Sequence, residues 1–115
     1  ISDYDSEGNA VSSQTRDELI ENTKSVLPGY DSLMHLCTNH FVEVLSETKA
    51  KCTYNICCAH FIGDEKMINF SYLTSYLEKR DGKWMITGSY GDFIKCLGNL
   101  KLAEIAKKRV SEQLK

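Results

Sequence analysis

Apolar and polar residues alternate with a period of two through the middle of this chain, and no other feature constrains its fold as strongly. β-branched, aromatic and cysteine residues dominate these stretches, as expected for strands with one buried face. Turn-forming residues separate the stretches, and the strongest turn is Asp81-Gly82, which is typical of a tight hairpin. The sequence therefore predicts a four-stranded antiparallel meander, with strands over residues 33–45, 50–62, 67–79 and 84–93.

Helical segments flank the predicted meander. Thr15 and Glu18 have the spacing of a capping box, which predicts a helix over residues 16–27 that ends at the following Pro-Gly pair. Residues 99–115 contain good helix formers with an apolar stripe and predict a second helix. The first 14 residues are polar and fit at most a short edge strand or hairpin arm. We therefore expect one α+β domain, in which a curved sheet packs against helices.

Charge and cysteine content exclude several classes of partner. The chain has 14 Lys and Arg against 16 Asp and Glu, a net charge of −2, so no basic surface for nucleic acid or anionic membrane is expected. Five cysteines, an odd number, lie inside apolar segments, which favours reduced thiols and a cytoplasmic location over a disulfide framework. No C-x-x-C spacing occurs, so no structural metal is predicted.

Histidines on two neighbouring strands are the main candidates for chemistry. On the second strand, alternation places His60 and Tyr54 on one face among apolar and cysteine residues, so a group that titrates near neutrality lies on an apolar wall. On the first strand, alternation assigns His35, Cys37, Asn39 and Phe41 to one face and Leu36, Thr38, His40 and Val42 to the other. Aromatic residues of the third and fourth strands offer walls for a cavity, namely Phe70, Tyr72, Tyr76, Trp84 and Tyr90.

Each candidate also has a purely structural interpretation. A histidine on an apolar face is more often hydrogen-bonded within the core than catalytic, and this applies to His35 and His60 alike. His40 is expected to be structural or exposed. The cysteines have no basic neighbour that would stabilise a thiolate, which is typical of small buried hydrophobes. Tyr72 and Trp84 are typical of core aromatics with a polar tip at the surface.

Three segments together resemble the SnoaL-like branch of the NTF2-like superfamily: MHLCTNHFVEV, AKCTYNICCAHF and YLEKRDGKWMITGSY. The most specific residues are His35 and Asn39 in the first strand, with Tyr76, Asp81, Gly82 and Trp84 around the last hairpin. The resemblance is closest to the bile acid 7α-dehydratase and scytalone dehydratase group. It implies an NTF2-like cone, in which a strongly bent sheet and helices surround an apolar pocket. It also implies a SnoaL-like domain over residues 1–98 without the family's N-terminal helical segment, followed by a helix over residues 99–115.

The resemblance further implies which residues form the site. His35 falls on the family's catalytic histidine, and His60 falls close to the second catalytic histidine of the scytalone dehydratases. Cys58 falls where the bile acid dehydratases have a catalytic aspartate. The residues expected to bind substrate are Asn39, Tyr54, Cys58, Tyr72 and Trp84. The family's dehydratases, cyclases and isomerases need no cofactor, so neither a cofactor nor a metal is expected.

Two functions follow as alternatives. One is a cofactor-independent lyase or isomerase that acts on a small cyclic apolar substrate, with His35 and His60 moving protons. The other is a non-catalytic small-molecule-binding or dimerisation module, which Cys58 and Leu73 favour because the family has a carboxylate and an amide at or near these positions. The expected partners are a small-molecule ligand and a second copy of the chain, and neither nucleic acid nor membrane. A separation of about 3–7 Å between the two histidines in one cavity would favour the enzyme.

Overall fold

The computed structural model describes residues 1–113 and contains a six-stranded sheet and two α-helices. Strands β1 (Ser2–Tyr4) and β2 (Ala10–Ser13) precede helix α1 (Arg16–Lys24) and a 3-10 turn (Leu27–Gly29). The four long strands are β3 (Ser32–Val44), β4 (Lys49–Ile62), β5 (Glu65–Arg80) and β6 (Lys83–Gly98), and helix α2 (Leu102–Gln113) follows them. The predicted α+β class and the meander are confirmed.

The sheet is curved and open, with the strand order β2-β1-β6-β5-β4-β3. All neighbouring strands are antiparallel except β1 and β6, which pair in parallel through two residue pairs. Asp81 and Gly82 connect β5 to β6 with φ values of 51° and 77°, the left-handed conformation that the sequence predicts for this hairpin. Gly63 and Asp64 connect β4 to β5 in the same short way.

Both helices and the last strand differ in length from the sequence prediction. The capping box at Thr15 is present, but α1 ends at Lys24, because Pro28 lies in a separate 3-10 turn. β6 continues to Gly98 rather than ending near residue 93, because an extra residue at Ile94 breaks the alternation while the pairing with β5 continues. Helix α2 begins at Leu102, three residues later than predicted, and the last two predicted residues lie outside the described part of the chain.

The hydrophobic core lies at one end of one face of the sheet. Tyr30, Met67, Leu102 and Ala106 form its buried centre. Gly29 allows this packing, since a Cβ at that position would overlap the backbone of Ala106 in α2. We call this side of the sheet, which α2 contacts through β4 and β5, the inner face, and the opposite side the outer face.

Beyond α2, the inner face is open. Val42, Val44, Ile86 and Phe93 on this face have between 53% and 73% of their surface exposed. Within the described chain, no helix is long and apolar enough to cross a membrane.

Candidate functional site

His35 and His60 form a pair on the inner face. His35 lies on β3 opposite Cys58 of β4, and His60 lies two residues further along β4, opposite Leu33 and Met67. Their Nε2 atoms are 3.0 Å apart, and the two rings meet edge to face at 78° with centroids separated by 5.1 Å. The structure therefore brings together the two histidines that the sequence nominates.

The surroundings of His60 fix which of its nitrogens carries the proton. Its Nδ1 lies 3.1 Å from the carbonyl oxygen of Met67, and a carbonyl oxygen only accepts, so Nδ1 donates. The ring is 5% exposed and stacks against Tyr30 with centroids 4.6 Å apart. In neutral His60 the Nε2 lone pair consequently accepts a hydrogen bond from Nε2 of His35. The Nδ1 lone pair of His35 is then available as a base.

The electrostatics of the pair keep His35 neutral near pH 7. Partial burial, and then the charge of nearby His60, lower the pKa of His35 from its usual value near 6.5. Burial, and then the neighbouring thiols of Cys37 and Cys57, raise the pKa of Cys58. The histidine at the centre of the site is thus a free base, while the thiol beside it is protonated and is a poor nucleophile.

Asn69 belongs to the same row of side chains, and sequence reasoning missed it. Across the sheet, His35, Cys58, Asn69 and Cys96 lie opposite one another in successive strands. The two-residue turn at Gly63-Asp64 sets this register. A four-residue loop, as the sequence suggested, moves the pairing by two residues and places Ser71 opposite Cys58. Tyr30 was also missed, and its position after the Pro-Gly pair was the only available signal.

A β-bulge corrects the predicted faces of β3. Thr38 pairs with Asn55 and Phe41 pairs with Thr53, so Asn39 and His40 together occupy one extra position. Asn39 has a φ of 58°. After the bulge, side chains that strict alternation assigns outward point inward, and His40 stacks on Tyr54 of the inner face. The prediction that His35 and Asn39 share a face is therefore wrong, because the alternation is interrupted between them.

The predicted substrate-binding residues are dispersed. Cys58 lies beside the histidine pair, whereas Tyr54 lies four residues further along β4 and its hydroxyl contacts Ser75 at 3.0 Å. Trp84 lies on the inner face at the opposite end of the strands and is 43% exposed. Tyr72 shares the outer face with Asn55 and Asp92. With Asn39, these three residues line a groove of about 310 Å³ on that face, and Tyr54 also borders it. Three of the five predicted substrate-binding residues, Asn39, Tyr54 and Tyr72, therefore border this groove rather than the histidine pair.

Among residues 1–113, no three His, Cys, Asp or Glu side chains lie close enough together to hold a metal ion. The hydrogen bonds of the histidine pair within this range involve only the two rings and the Met67 carbonyl, so no carboxylate orients either imidazole. The site can therefore accept, hold and return a proton, and these are the steps that its own residues supply.

Comparison with known proteins identifies the family. The profile of the SnoaL-like domain matches residues 2–89 of this chain. The chain belongs to the SnoaL-like domain family. No curated protein matches this SnoaL-like chain in sequence.

Solved structures similar to this SnoaL-like domain share its fold. LinA is 16% identical with a TM-score of 0.67, and the match covers 86% of this chain and 68% of LinA. A scytalone dehydratase-like protein of Novosphingobium aromaticivorans is 14% identical with a TM-score of 0.65, covering 85% of this chain and 66% of that protein.

A hexachlorocyclohexane dehydrochlorinase, LinA type 3 of Novosphingobium barchaimii, is 23% identical with a TM-score of 0.53, covering 64% of this chain and 51% of the enzyme. This SnoaL-like chain spans about half the length of the dehydrochlorinases that it matches. At these identities the likeness establishes the NTF2-like fold and not the reaction.

Proposed function

We propose that this SnoaL-like domain is a cofactor-independent lyase or isomerase that acts on a small cyclic, mostly apolar substrate. The observation that carries the proposal is the 3.0 Å contact between the Nε2 atoms of His35 and His60, with His60 fixed by the Met67 carbonyl. A histidine that is neutral, positioned and partly desolvated is suited to general base catalysis near neutral pH. The structurally similar proteins named as dehydrochlorinases and dehydratases support this class of reaction.

The proposed elimination needs only the chain's own residues. Nδ1 of His35 takes a proton from a carbon next to the one that bears the leaving group. The C–H electron pair becomes the new double bond, and the leaving group departs with the electrons of its bond. Halide leaves as the anion, whereas hydroxide takes the proton back from the His35 imidazolium and leaves as water. During the step, His60 Nε2 accepts from His35 Nε2 and stabilises the imidazolium.

Asn69 is proposed to hold the substrate beside the base. It lies in the same row as His35 and Cys58 on the inner face, and its amide can donate to a carbonyl oxygen. A carbonyl held in this way withdraws electrons and makes the neighbouring C–H bond more acidic. Tyr72, which the sequence nominates for substrate binding, lies on the outer face and cannot reach this position.

One feature favours the second candidate, a non-catalytic small-molecule-binding or dimerisation module. Cys58, a neutral thiol, lies opposite His35, and no carboxylate in residues 1–113 contacts either imidazole. A second copy could cover the outer face, where Met34 and Leu36 are 61% and 52% exposed. In this alternative the chain binds small apolar ligands or its own copy without turning a substrate over.

The test is a turnover assay on two substrate types, halogenated cyclohexanes and cyclic β-hydroxy ketones. Chloride release reports the first, and absorbance of the enone product reports the second. We expect His35→Gln to lower turnover by about 10²–10⁴-fold, the usual contribution of a general base. Tyr90→Phe, on the outer face, serves as the control and is expected to retain wild-type turnover.

Unchanged turnover in His35→Gln would refute the proposed base. If the chain binds compounds of both types by NMR but converts none, the non-catalytic module replaces the enzyme. Sedimentation velocity of the same sample measures whether the chain dimerises.

A further inference from the structure

A second polar cluster lies on the inner face, away from the histidine pair. The ring of His40 stacks on Tyr54 with centroids 5.1 Å apart and planes inclined by 17°. The Tyr54 hydroxyl lies 3.0 Å from the hydroxyl of Ser75, which is 7% exposed. Three polar side chains from β3, β4 and β5 therefore converge at one place on this face.

The backbone of β3 is distorted where it presents His40. The bulge inserts one extra residue, and Asn39 adopts a φ of 58°, a left-handed conformation that asparagine adopts more readily than most residues other than glycine. Without the bulge, alternation would turn His40 to the outer face. Conformations of this kind persist where the surrounding structure requires them, and they concentrate at functional sites.

The cluster has unused hydrogen-bonding capacity. Within residues 1–113, neither ring nitrogen of His40 has a hydrogen-bond partner. Two hydroxyls that share one hydrogen bond retain a second O–H donor between them, so the Tyr54 and Ser75 pair can still donate to a ligand. The group can thus both donate to and accept from one oxygen substituent.

The spacing to the histidine pair defines the length of a ligand that contacts both clusters. Tyr54 and Cys58 are four residues apart on β4, which corresponds to about 13 Å along a strand. The surface between them is mostly apolar and is formed by Cys37, Ile56 and Phe93 with one hydroxyl, that of Ser71. A rigid apolar body of two or three rings, with oxygen at each end, matches this surface.

We infer that His40, Tyr54 and Ser75 form a second polar subsite, which binds an oxygen substituent at the far end of a ligand whose near end lies at His35. The inference rests on the proposed function for the identity of the near end. It names the substrate class as an elongated, mostly apolar ring system with oxygen functions at both ends. His40 is a specificity residue and takes no part in the proton transfer at His35.

The chain's three histidines make the inference measurable, since a ¹³C-histidine sample gives one ring signal for each. The probes are 4,4′-biphenol and 4-phenylphenol, which differ only in the second hydroxyl. We expect biphenol to shift the His35 and His40 signals together, with one dissociation constant. We expect phenylphenol to bind about five- to tenfold more weakly, as the loss of one or two hydrogen bonds implies.

Variants distinguish specific binding at the subsite from nonspecific binding of an apolar ligand. His40→Phe retains the ring that stacks on Tyr54 and removes both nitrogens, so it should abolish the preference for biphenol. Tyr54→Phe should reduce the preference, and Tyr90→Phe on the outer face should leave it unchanged. Thermal unfolding of each variant checks that the fold is intact.

The inference is overturned if biphenol shifts His35 without His40, or if His40→Phe retains the preference. If only the proposed enzyme activity is wrong, the result is different: biphenol shifts the signals of both histidines, but no substrate of the turnover assay is converted.

Discussion

The two ends of the inner face are built from the same alternating pattern and have opposite environments. At the covered end, under α2 and the 3-10 turn, His60, Tyr30 and Met67 are 5–9% exposed and Leu102 is fully buried. At the open end, Val44 and Ile86 are 73% and 53% exposed. Period-two patterning determines which side chains share a face, and the elements that pack on that face determine which of them are buried.

The same difference sets the chemistry of the two ends. His60 has one fixed tautomer because a buried carbonyl accepts from it, whereas the exposed His40 has no hydrogen-bond partner among residues 1–113. A fixed, buried imidazole can hold the neighbouring His35 in position for proton transfer, and an adaptable exposed one is suited to ligand selection. The covered end is therefore where we place the reaction, and the open end is where we place specificity.

Truncating a side chain of helix α2, which covers one end of the inner face, is expected to have the largest effect on the free energy of unfolding. Leu102→Ala deletes a fully buried side chain, so it should lower the free energy of unfolding by about 2–5 kcal/mol in urea denaturation. Ile86→Ala at the open end, the matched control, should cost less than about 1 kcal/mol. Equal losses at the two ends would mean that the open end is also packed.

Substitution of Asn39 in the β-bulge is expected to have the next largest effect on the free energy of unfolding. Asn39→Val forces a β-branched residue into a left-handed conformation and should cost about 1–2 kcal/mol of unfolding free energy. Asn39→Gly, which adopts this conformation without strain, should be neutral or slightly stabilising. If valine is tolerated as well as glycine, β3 has no bulge at this position, and His40 does not face Tyr54.

The histidine pair gives a smaller, pH-dependent effect. Because the pKa of His35 is lower in the folded than in the unfolded chain, the unfolded state binds its proton first. The pair's contribution to stability is present above about pH 6.5 and is lost as the pH falls through the folded pKa of His35. Urea midpoints at pH 7.5 and 5 should therefore differ less in His35→Gln than in the wild type. An unchanged difference would show that His35 is not perturbed.

The smallest effect on stability is expected at Asp31, an exposed residue at the covered end that contacts both the turn after β4 and helix α2. Its carboxylate accepts from the backbone N–H of Gly63 at 2.7 Å and from Arg109 of α2 at 2.8 Å. These contacts, the first above all, lower the pKa of Asp31. This contribution is present above about pH 4 and is lost in acid, as the pH falls through the folded pKa. Asp31→Asn should flatten the acid limb of the stability profile, and an unaltered limb would contradict these contacts.

The sequence predicted the four long strands and the last hairpin and nominated His35 and His60, because alternation, Asp-Gly and the spacing of the motif are local signals. It left open whether the two histidines meet. It could not reveal the bulge at Asn39, since an extra residue in β3 is defined only by its partner strand. Asn69 was missed for a related reason. The sequence predicted a four-residue loop after β4, and the observed two-residue turn at Gly63-Asp64 moves the pairing of β4 with β5 by two residues. Positions that depend on pairing between strands require the structure.

The most direct test of the histidine pair is the protonation state of the His60 ring. A long-range ¹H–¹⁵N spectrum of the chain with ¹⁵N-labelled histidine, recorded near pH 7.5, separates protonated from unprotonated ring nitrogens. We predict a protonated Nδ1 and an unprotonated Nε2 for His60, as the Met67 carbonyl and His35 require. A proton on Nε2 of His60 would contradict the pair, because His35 could not then donate to it.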